Sequence, residues 1–404
     1  MLHLQVKHMN AIDQFREQTR SWLDANCPPS QRKAIPEGEL VWGGNHVEFP
    51  SADAQLWFER MRDKGWFCPD WPQAYGGAGL SDEYNAVLES ELRRLKCRPP
   101  QINLGIWMLG PVLLEFGTEE QKKNLLTPMT RGEVRWCQGF SEPNAGSDLA
   151  SLKTSARDAG DHFVVDGSKI WTSYGDKSDW MYALVRTDLT SSKHAGISLI
   201  VLDMKSPGVS VAPIDLISGK SAFCQVFFDA VKVPKSQLIG PLHGGWNLAK
   251  RLLQHERKAM SKFGEFSLPS HFHLLPLVNE YLPEPASQSE RALTARAVAC
   301  AMNEQSYNLT VQRMGQEARA GQDVSGVMSI MKLVHTEQER DKFEVLLDVM
   351  GYHALGWDKE AFSPQEQAIT RGWLNSFALT ISGGASEIQL NVIAKRVLGL
   401  PDVK

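Results

Sequence analysis

The stretch "SAFCQVFFDAVKVP", residues 221–234, is followed after the turn "GPLHGGW" (240–246) by "NLAKRLLQHERKAM", residues 247–260. The change of period between the two decides the fold. The first is dense in β-branched and aromatic residues and closes on proline, the pattern of a strand. In the second, Ala249, Leu252, Leu253, Glu256 and Met260 fall at i, i+3, i+4, i+7 and i+11, a single stripe along a helix. Toward the N-terminus, further strands are predicted in "VRWCQGF" (134–140), "HFVVDGSKIWTS" (162–173), "WMYALVRTD" (180–188) and "GISLIVLDM" (196–204). Before them the spacing is helical in "AIDQFREQTRSWLDAN" (11–26), "SADAQLWFERMRDKGW" (51–66) and "EYNAVLESELRRL" (83–95). After residue 247 the helical period returns in 291–314, 327–351 and 362–381. The stretch 266–290 is rich in proline and apolar residues without a clear period, and reads either as a loop covering the helices or as part of a pocket wall.

A helical, then β, then helical order argues against a doubly wound sheet. The expectation is an α+β chain, mostly α: an N-terminal helical domain over 1–131, a middle β-barrel or sandwich over 132–243, and a C-terminal four-helix bundle over 244–404. No G-x-G-x-x-G follows a strand and there is no P-loop, so a nucleotide cofactor is held some other way.

The chain has 404 residues, 42% hydrophobic and 22% charged, with a net charge of −4 and a pI near 6.3. That balance offers no basic stripe for nucleic acid and no polybasic membrane anchor. No apolar run approaches the ~18 residues of a membrane span, and the start "MLHLQVKHMNAIDQ" lacks a charged region leading into a long apolar stretch. A cytoplasmic location without membrane insertion is expected. The six cysteines, Cys27, Cys68, Cys97, Cys137, Cys224 and Cys300, form no C-x-x-C pair and read as reduced core residues, with no metal site.

Four places stand out chemically. Glu256 sits on the greasy face of its helix, where an ionised carboxylate is costly unless it is paired or faces a cavity; it reads either as a rim glutamate or as a base in an apolar pocket. "FSEPNAGSDLASL" (140–152) is a glycine-punctuated turn offering Ser141, Ser147 and main-chain N–H groups. In "KIWTS" (169–173), Trp171 stands beside hydroxyls and would suit a flat heterocycle as well as a core. "ISGGASEIQ" (381–389) turns through Gly383, Gly384, Ala385 and Ser386 into an apolar tail, baring N–H groups near a helix start.

Taken together, "GWFCPDWPQAYGGAGLS", "LGPVLLEFGTEEQKKNLLTPMTRGE", "QGFSEPNAGSDLASLKTSA", "VVDGSKIWTS", "GISLIVLDM", "FDAVKVP", "GGWNLAKRLLQHER" and "ISGGASEIQLNVIAKRVLGLP" resemble successive blocks of the acyl-CoA dehydrogenase family, in order along nearly the whole chain. The resemblance implies FAD as cofactor, an acyl-CoA substrate converted to a trans-2-enoyl-CoA, and an electron-transfer flavoprotein as electron acceptor. It carries Gln138, Phe140, Ser141, Ser147, Trp171 and Ser173 over as flavin-lining residues, with Ser147 also beside the thioester. Gly351, Ala385 and Glu387 carry over as further FAD contacts, and Arg257 and Gly384 as substrate contacts. Where many members have a glutamate base, this chain has Gly383. A second branch carries the base immediately before the helix arginine, and "HERK" places Glu256 there, leaving the Gly383 N–H to polarise the thioester carbonyl.

Two departures accompany the resemblance. The family's Arg-x-Phe-Gly segment is replaced by "VNEYLPEPASQSE" (278–290), and Asp348 stands where a glutamine is usual. Both bear on intersubunit FAD contacts and are similar to the subgroup acting on bulky acyl groups, steroid side chains included. A homodimer or homotetramer is implied, with unlike-subunit assembly as a further arrangement. The rival readings are an acyl-CoA oxidase-like flavoenzyme and a non-catalytic partner subunit.

Overall fold

The computed structural model describes residues 10–33, 35, 38–191, 193–219, 221–263, 272–357 and 360–401, with residues 257–263, Arg319 and Ser325 described by backbone alone. Two compact units result, Met1–Ile214 with Ser221–Pro269, and Asp215–Lys220 with Ser270–Lys404.

The first unit opens with helices α1 (Ala11–Asn26), α2 (Ala52–Asp63), α3 (Asp82–Arg94), α4 (Gly110–Phe116) and the short turns α5 (Glu119–Gln121) and α6 (Thr127–Thr130). Asn10 caps α1 by accepting from Asp13 N, and Ser51 caps α2 by accepting from Ala54 N. α1 packs on α3 through a buried carboxylate. Glu91, 2% exposed, accepts from Arg20 at 2.9 and 3.1 Å and from Arg94 at 2.6 Å. The Arg20 guanidinium first, then Arg94, hold its pKa down at about 2. A folded-state value below the unfolded one stabilises the protein at higher pH, and this contribution is lost as pH falls from about 4.5 toward 2. Glu91→Gln is expected to lower Tm at pH 7 by roughly 2–4 °C, the equivalent of about 1 kcal/mol, and to flatten the loss of Tm below pH 4.5. Parallel Tm-versus-pH curves for the two proteins would remove the pair from that role.

The middle of this unit is one eight-stranded sheet, with β1 (Trp136–Gly139), β2 (Ser155–Asp158), β3 (His162–Ser173), β4 (Trp180–Arg186), β5 (Ile197–Asp203), β6 (Val209–Ile214), β7 (Phe223–Pro234) and β8 (Leu238–Ile239). Its order is β6-β7-β3-β2-β4-β5-β8, and β1 runs parallel beside β4. Strand β4 explains the layering. Met181, Ala183 and Val185 point into a core closed by Phe163, Val165, Val226 and Val231, while Tyr182 and Leu184 point into a second core with Met108, Leu109 and Val112. Burial on both faces is why "WMYALVR" reads as a continuous apolar run.

Helix α7 (Gly245–Phe263) enters that second core. A Cβ at Gly245 would stand 2.5 Å from the Ser198 carbonyl carbon, so only glycine lets the helix start press onto β5. Leu248, Ala249 and Leu252 follow as buried residues, and each fully buried leucine contributes about 1.5–3 kcal/mol. The helix also lies against Gly105–Leu109, a wide π-type turn running into α4. Such turns are frequent at functional sites.

The second unit is helical: α8 (Leu274–Tyr281), α9 (Gln288–Arg319), α10 (Ser325–Met350), α11 (Pro364–Leu379) and α12 (Ser386–Val392). α10 packs on the other four around Phe343, Val345, Leu346 and Val349. Capping boxes, Ser287 with Glu290 and Ser363 with Glu366, start α9 and α11. Within 266–290, where no period is legible, Leu274, Leu277 and Val278 turn one face of α8 into this core; residues 264–271 lie outside the described residues. Overall, the helical start, the middle sheet and the helical end match the fold class expected from sequence.

Candidate active site

Strand β1 carries the first group. Gln138 lies opposite Tyr182 on β4. At Gly139 a Cβ would run into Met181 Sδ, so the strand ends on glycine. Phe140, buried, meets Tyr182 edge-on with ring centroids 6.0 Å apart. The following residues leave the sheet yet are tightly held. Ser141 O accepts from Ile170 N at 2.9 Å. The Glu142 carboxylate accepts from Lys153 N at 2.7 Å, Thr154 N at 2.9 Å and Lys169 Nζ at 2.8 Å. Lys169, 0% exposed, also donates to Phe140 O at 3.1 Å. Burial pushes the lysine down to about 8 despite its partner, while Lys169 holds the Glu142 carboxyl below its ordinary value against the opposing effect of burial. This clamp fixes both ends of the 140–154 loop; Ser147 rides on its exposed outer arm.

Strand β3 carries the second group. Its register with β7 slips between Lys169 and Thr172, and at that bulge Trp171 takes φ +60°. A left-handed tryptophan is costly, and such strain clusters at functional sites. The slip turns the indole out of the sheet's alternation. It is 54% exposed, with Phe223 edge-on at 6.0 Å. Ser173, half-buried, ends the strand opposite Phe223. Because Ile170 bonds Ser141, the end of β1 and the bulge of β3 stand side by side. An exposed aromatic face on a strand that abuts the end of β1 suits a flat heterocycle.

Glu256 lies one turn beyond Leu252 on the buried stripe of α7 and is half-buried. The carboxylate lies close enough to act on the Tyr182 phenol, which burial first, and Glu256 second, push well above its ordinary value. That phenol is fully buried and donates to Met108 Sδ at 3.3 Å. Through Tyr182, Glu256 shares one neighbourhood with Gln138 and Phe140. On another side of α7, Arg251 donates to Glu115 of α4 at 2.9 and 2.5 Å, with His255 Nε2 3.4 Å away. Arg257 follows in the helix backbone, its side chain lying outside the described ones.

The second unit holds the remaining residues. Gly383 and Gly384 take φ +64° and +97°, and Ala385 precedes α12. Lys332 of α10 donates to Gly384 O at 2.6 Å and Leu379 O at 3.2 Å. Ser386 donates its N–H to Thr380 O at 2.9 Å and its hydroxyl to Glu337 at 2.8 Å, so the helix-start N–H at 386 is already used. A Cβ on Gly383 meets nothing within 4 Å; its backbone angle, not crowding, is what favours glycine. Glu387 is exposed. Gly351 caps the far end of α10 at φ +54°, roughly 28 Å along that helix from Lys332, so within one chain it stands apart from the 380–386 turn. Asp348 pairs with Arg296 at 2.7 Å.

Sequence reasoning missed the Glu142–Lys169 clamp and Tyr182. Lys169 was detectable: it stands at the inward register of β3, two residues at a time from Phe163 and Val165, where a lysine demands a buried partner.

Three family descriptions match the chain in succession: Acyl-CoA dehydrogenase, N-terminal domain, over residues 10–133; middle domain, over 137–231; and C-terminal domain, over 243–398. The chain is 34% identical over 396 residues to the acyl-CoA dehydrogenase IpdE1 of Mycobacterium tuberculosis, covering 97% of this chain and 99% of that one. Among solved structures it is similar to the Tcur3481-Tcur3483 steroid ACAD (TM-score 0.72, 27% identity, 97% of this chain and 98% of that chain). It is also similar to the ChsE4-ChsE5 complex of Mycobacterium tuberculosis (TM-score 0.69, 25% identity, 99% and 100%). With three consecutive domain matches and a full-length relative above 30% identity, the chain belongs to the FAD-dependent acyl-CoA dehydrogenase family.

Proposed function

We propose that this protein oxidises an acyl-CoA thioester at its α and β carbons, with Glu256 as the base. The observation that carries the reading is a half-buried carboxylate on the apolar stripe of α7, within electrostatic reach of the buried Tyr182, in a chain whose alternative base position is Gly383. An α-proton of a thioester is weakly acidic, so a base must take it while donors stabilise the charge growing on the carbonyl oxygen. Glu256 takes that proton and the Gly383 N–H donates to the oxygen. Gln138, Phe140, Ser141 and Ser173 hold the edges of the flavin ring and Trp171 covers a face; Ser147, Gly351, Ala385 and Glu387 complete the cofactor contacts, and Gly384 lies along the substrate. Bound FAD supplies the two-electron acceptor for the β-hydride.

Arg257 is assigned to the thioester or its pantetheine arm. Arg257→Ala should lower kcat/KM roughly 10- to 100-fold, the size of one lost charged hydrogen bond. Unchanged kcat and KM would place that side chain elsewhere.

The acyl group is proposed to be bulky and ring-bearing. Support comes from the steroid ACAD among the structural relatives and from the replaced Arg-x-Phe-Gly segment. Electrons are proposed to leave to an electron-transfer flavoprotein, and the working assembly is a homo-oligomer or a pair of unlike chains, as the ChsE4-ChsE5 complex is. The test is anaerobic flavin bleaching across thioesters from short straight chains to fused rings. Bleaching by ring-bearing thioesters alone supports the reading, bleaching by none makes the chain a scaffold, and peroxide formation in air makes it an oxidase. Among the described residues no helix is long and apolar enough to cross a membrane.

A further inference from the structure

Away from the site, Cys27 and Cys97 share a small core with Leu23, Trp57 and Met61. Cys27 closes α1, its N–H on Leu23 O at 2.9 Å, and Cys97 follows α3, its N–H on Leu92 O at 2.9 Å. Arg98 N donates to Gln31 O at 2.8 Å and Cys27 Sγ approaches the same carbonyl at 3.9 Å, so the two segments run side by side at the sulfurs. Cys27 Sγ also approaches the Pro28 carbonyl at 3.8 Å, and both sulfurs belong to this one buried cluster.

Their surroundings are electropositive. Arg32 donates to Cys27 O at 2.9 and 2.6 Å, and Arg60 donates to Asn26 O at 2.5 Å, so two guanidinium groups stand at the end of α1. The neighbouring Cys97 thiol, with help from these arginines, holds the Cys27 thiol below its ordinary value although it is buried. The Cys27 sulfur, and burial, push the Cys97 thiol up. With the two arginines on its side, Cys27 is the better placed of the two to attack, and Cys97 to resolve. With the residues only 2% and 7% exposed, neither sulfur is open to a bulky disulfide, so the oxidant assigned to the pair is a small hydroperoxide.

We propose that Cys27 and Cys97 form a redox-active dithiol that a hydroperoxide converts to a disulfide. The Cys27 thiolate attacks one peroxide oxygen and the O–O bond breaks, giving a sulfenic acid and, with hydrogen peroxide, water. The Cys97 sulfur then attacks Cys27 Sγ, the S–O bond breaks, and a second water leaves. Two thiols lose two electrons and two protons, and the peroxide gains both. The new bond ties the end of α1 to the segment after α3, closing a loop that contains α2 and α3.

The experiment treats the intact protein with hydrogen peroxide, or with oxidised glutathione at the same concentration, blocks free thiols under denaturing conditions, and maps peptides without reductant. The expected result is a peptide pair joined through Cys27 and Cys97 with peroxide, absent with glutathione, and reversed by dithiothreitol. In Cys97→Ser, Cys27 should stop at the sulfenic acid, which dimedone traps once the protein is denatured. The mapping on unaltered protein decides the matter even if that variant folds poorly. If both cysteines remain blockable as thiols after peroxide, or only glutathione joins them, the proposal fails.

Discussion

Replacing Glu256 with glutamine is expected to leave a folded, yellow protein whose flavin is reduced by acyl-CoA more slowly by on the order of 10²–10⁴-fold, the contribution of a positioned general base. Glutamine keeps the shape and the polar contacts of the side chain but cannot accept the α-proton. Because Leu248, Ala249 and Leu252 do the packing of α7, the change should cost little stability. The measurement is anaerobic stopped-flow bleaching, with FAD content and Tm as controls. Reduction at the wild-type rate would clear Glu256, whereas loss of both colour and fold would point to a structural glutamate. The buried Tyr182 supplies a second reading. Tyr182→Phe removes a phenol that feels the carboxylate, so it should move the pH profile of bleaching while leaving the protein folded.

The second large effect is expected at Glu142. Glu142→Leu leaves the Lys169 ammonium buried against a single carbonyl and deprives Lys153 N and Thr154 N of their acceptor. Breaking one side of a buried pair costs about 3–5 kcal/mol. Removing both charges in Glu142→Leu with Lys169→Met should cost less than the sum of the single changes, and urea unfolding of the four proteins in a double-mutant cycle measures the difference. Additive losses, or a Glu142→Leu loss under about 1 kcal/mol, would show that the pair is not coupled. Burial lowers Lys169 to about 8 from 10.5. Between those values the unfolded chain binds more protons than the folded one, so this site's contribution improves as pH rises from about 8 and is least favourable below it.

The order of helical, β and helical regions was legible because the apolar period changes twice and most long elements repeat it cleanly. Strands β2, β6 and β8 were not: β2 has four residues, β8 has two, and β6 is a half-exposed edge interrupted by Pro213. Helix α8 was hidden because it is only eight residues long and carries Pro276 within a proline-rich stretch. Of the candidate site, Glu256 was visible as an acid breaking a hydrophobic stripe. The set around Gln138 and Trp171 came from the family resemblance. Its geometry depends on a register slip between two strands more than fifty residues apart, and no local pattern encodes that. The meeting of Cys27 with Cys97 is hidden for the same reason, since α2 and α3 lie between them in sequence.

Gly383 invites a transplant. Its left-handed backbone penalises an ordinary residue by about 1–2 kcal/mol, yet a side chain added there would encounter open space. Space alone therefore does not keep an acid out of the turn; under the proposed assignment of the base to Glu256, Gly383→Glu would place a second carboxylate in the chain at the cost of that backbone penalty alone.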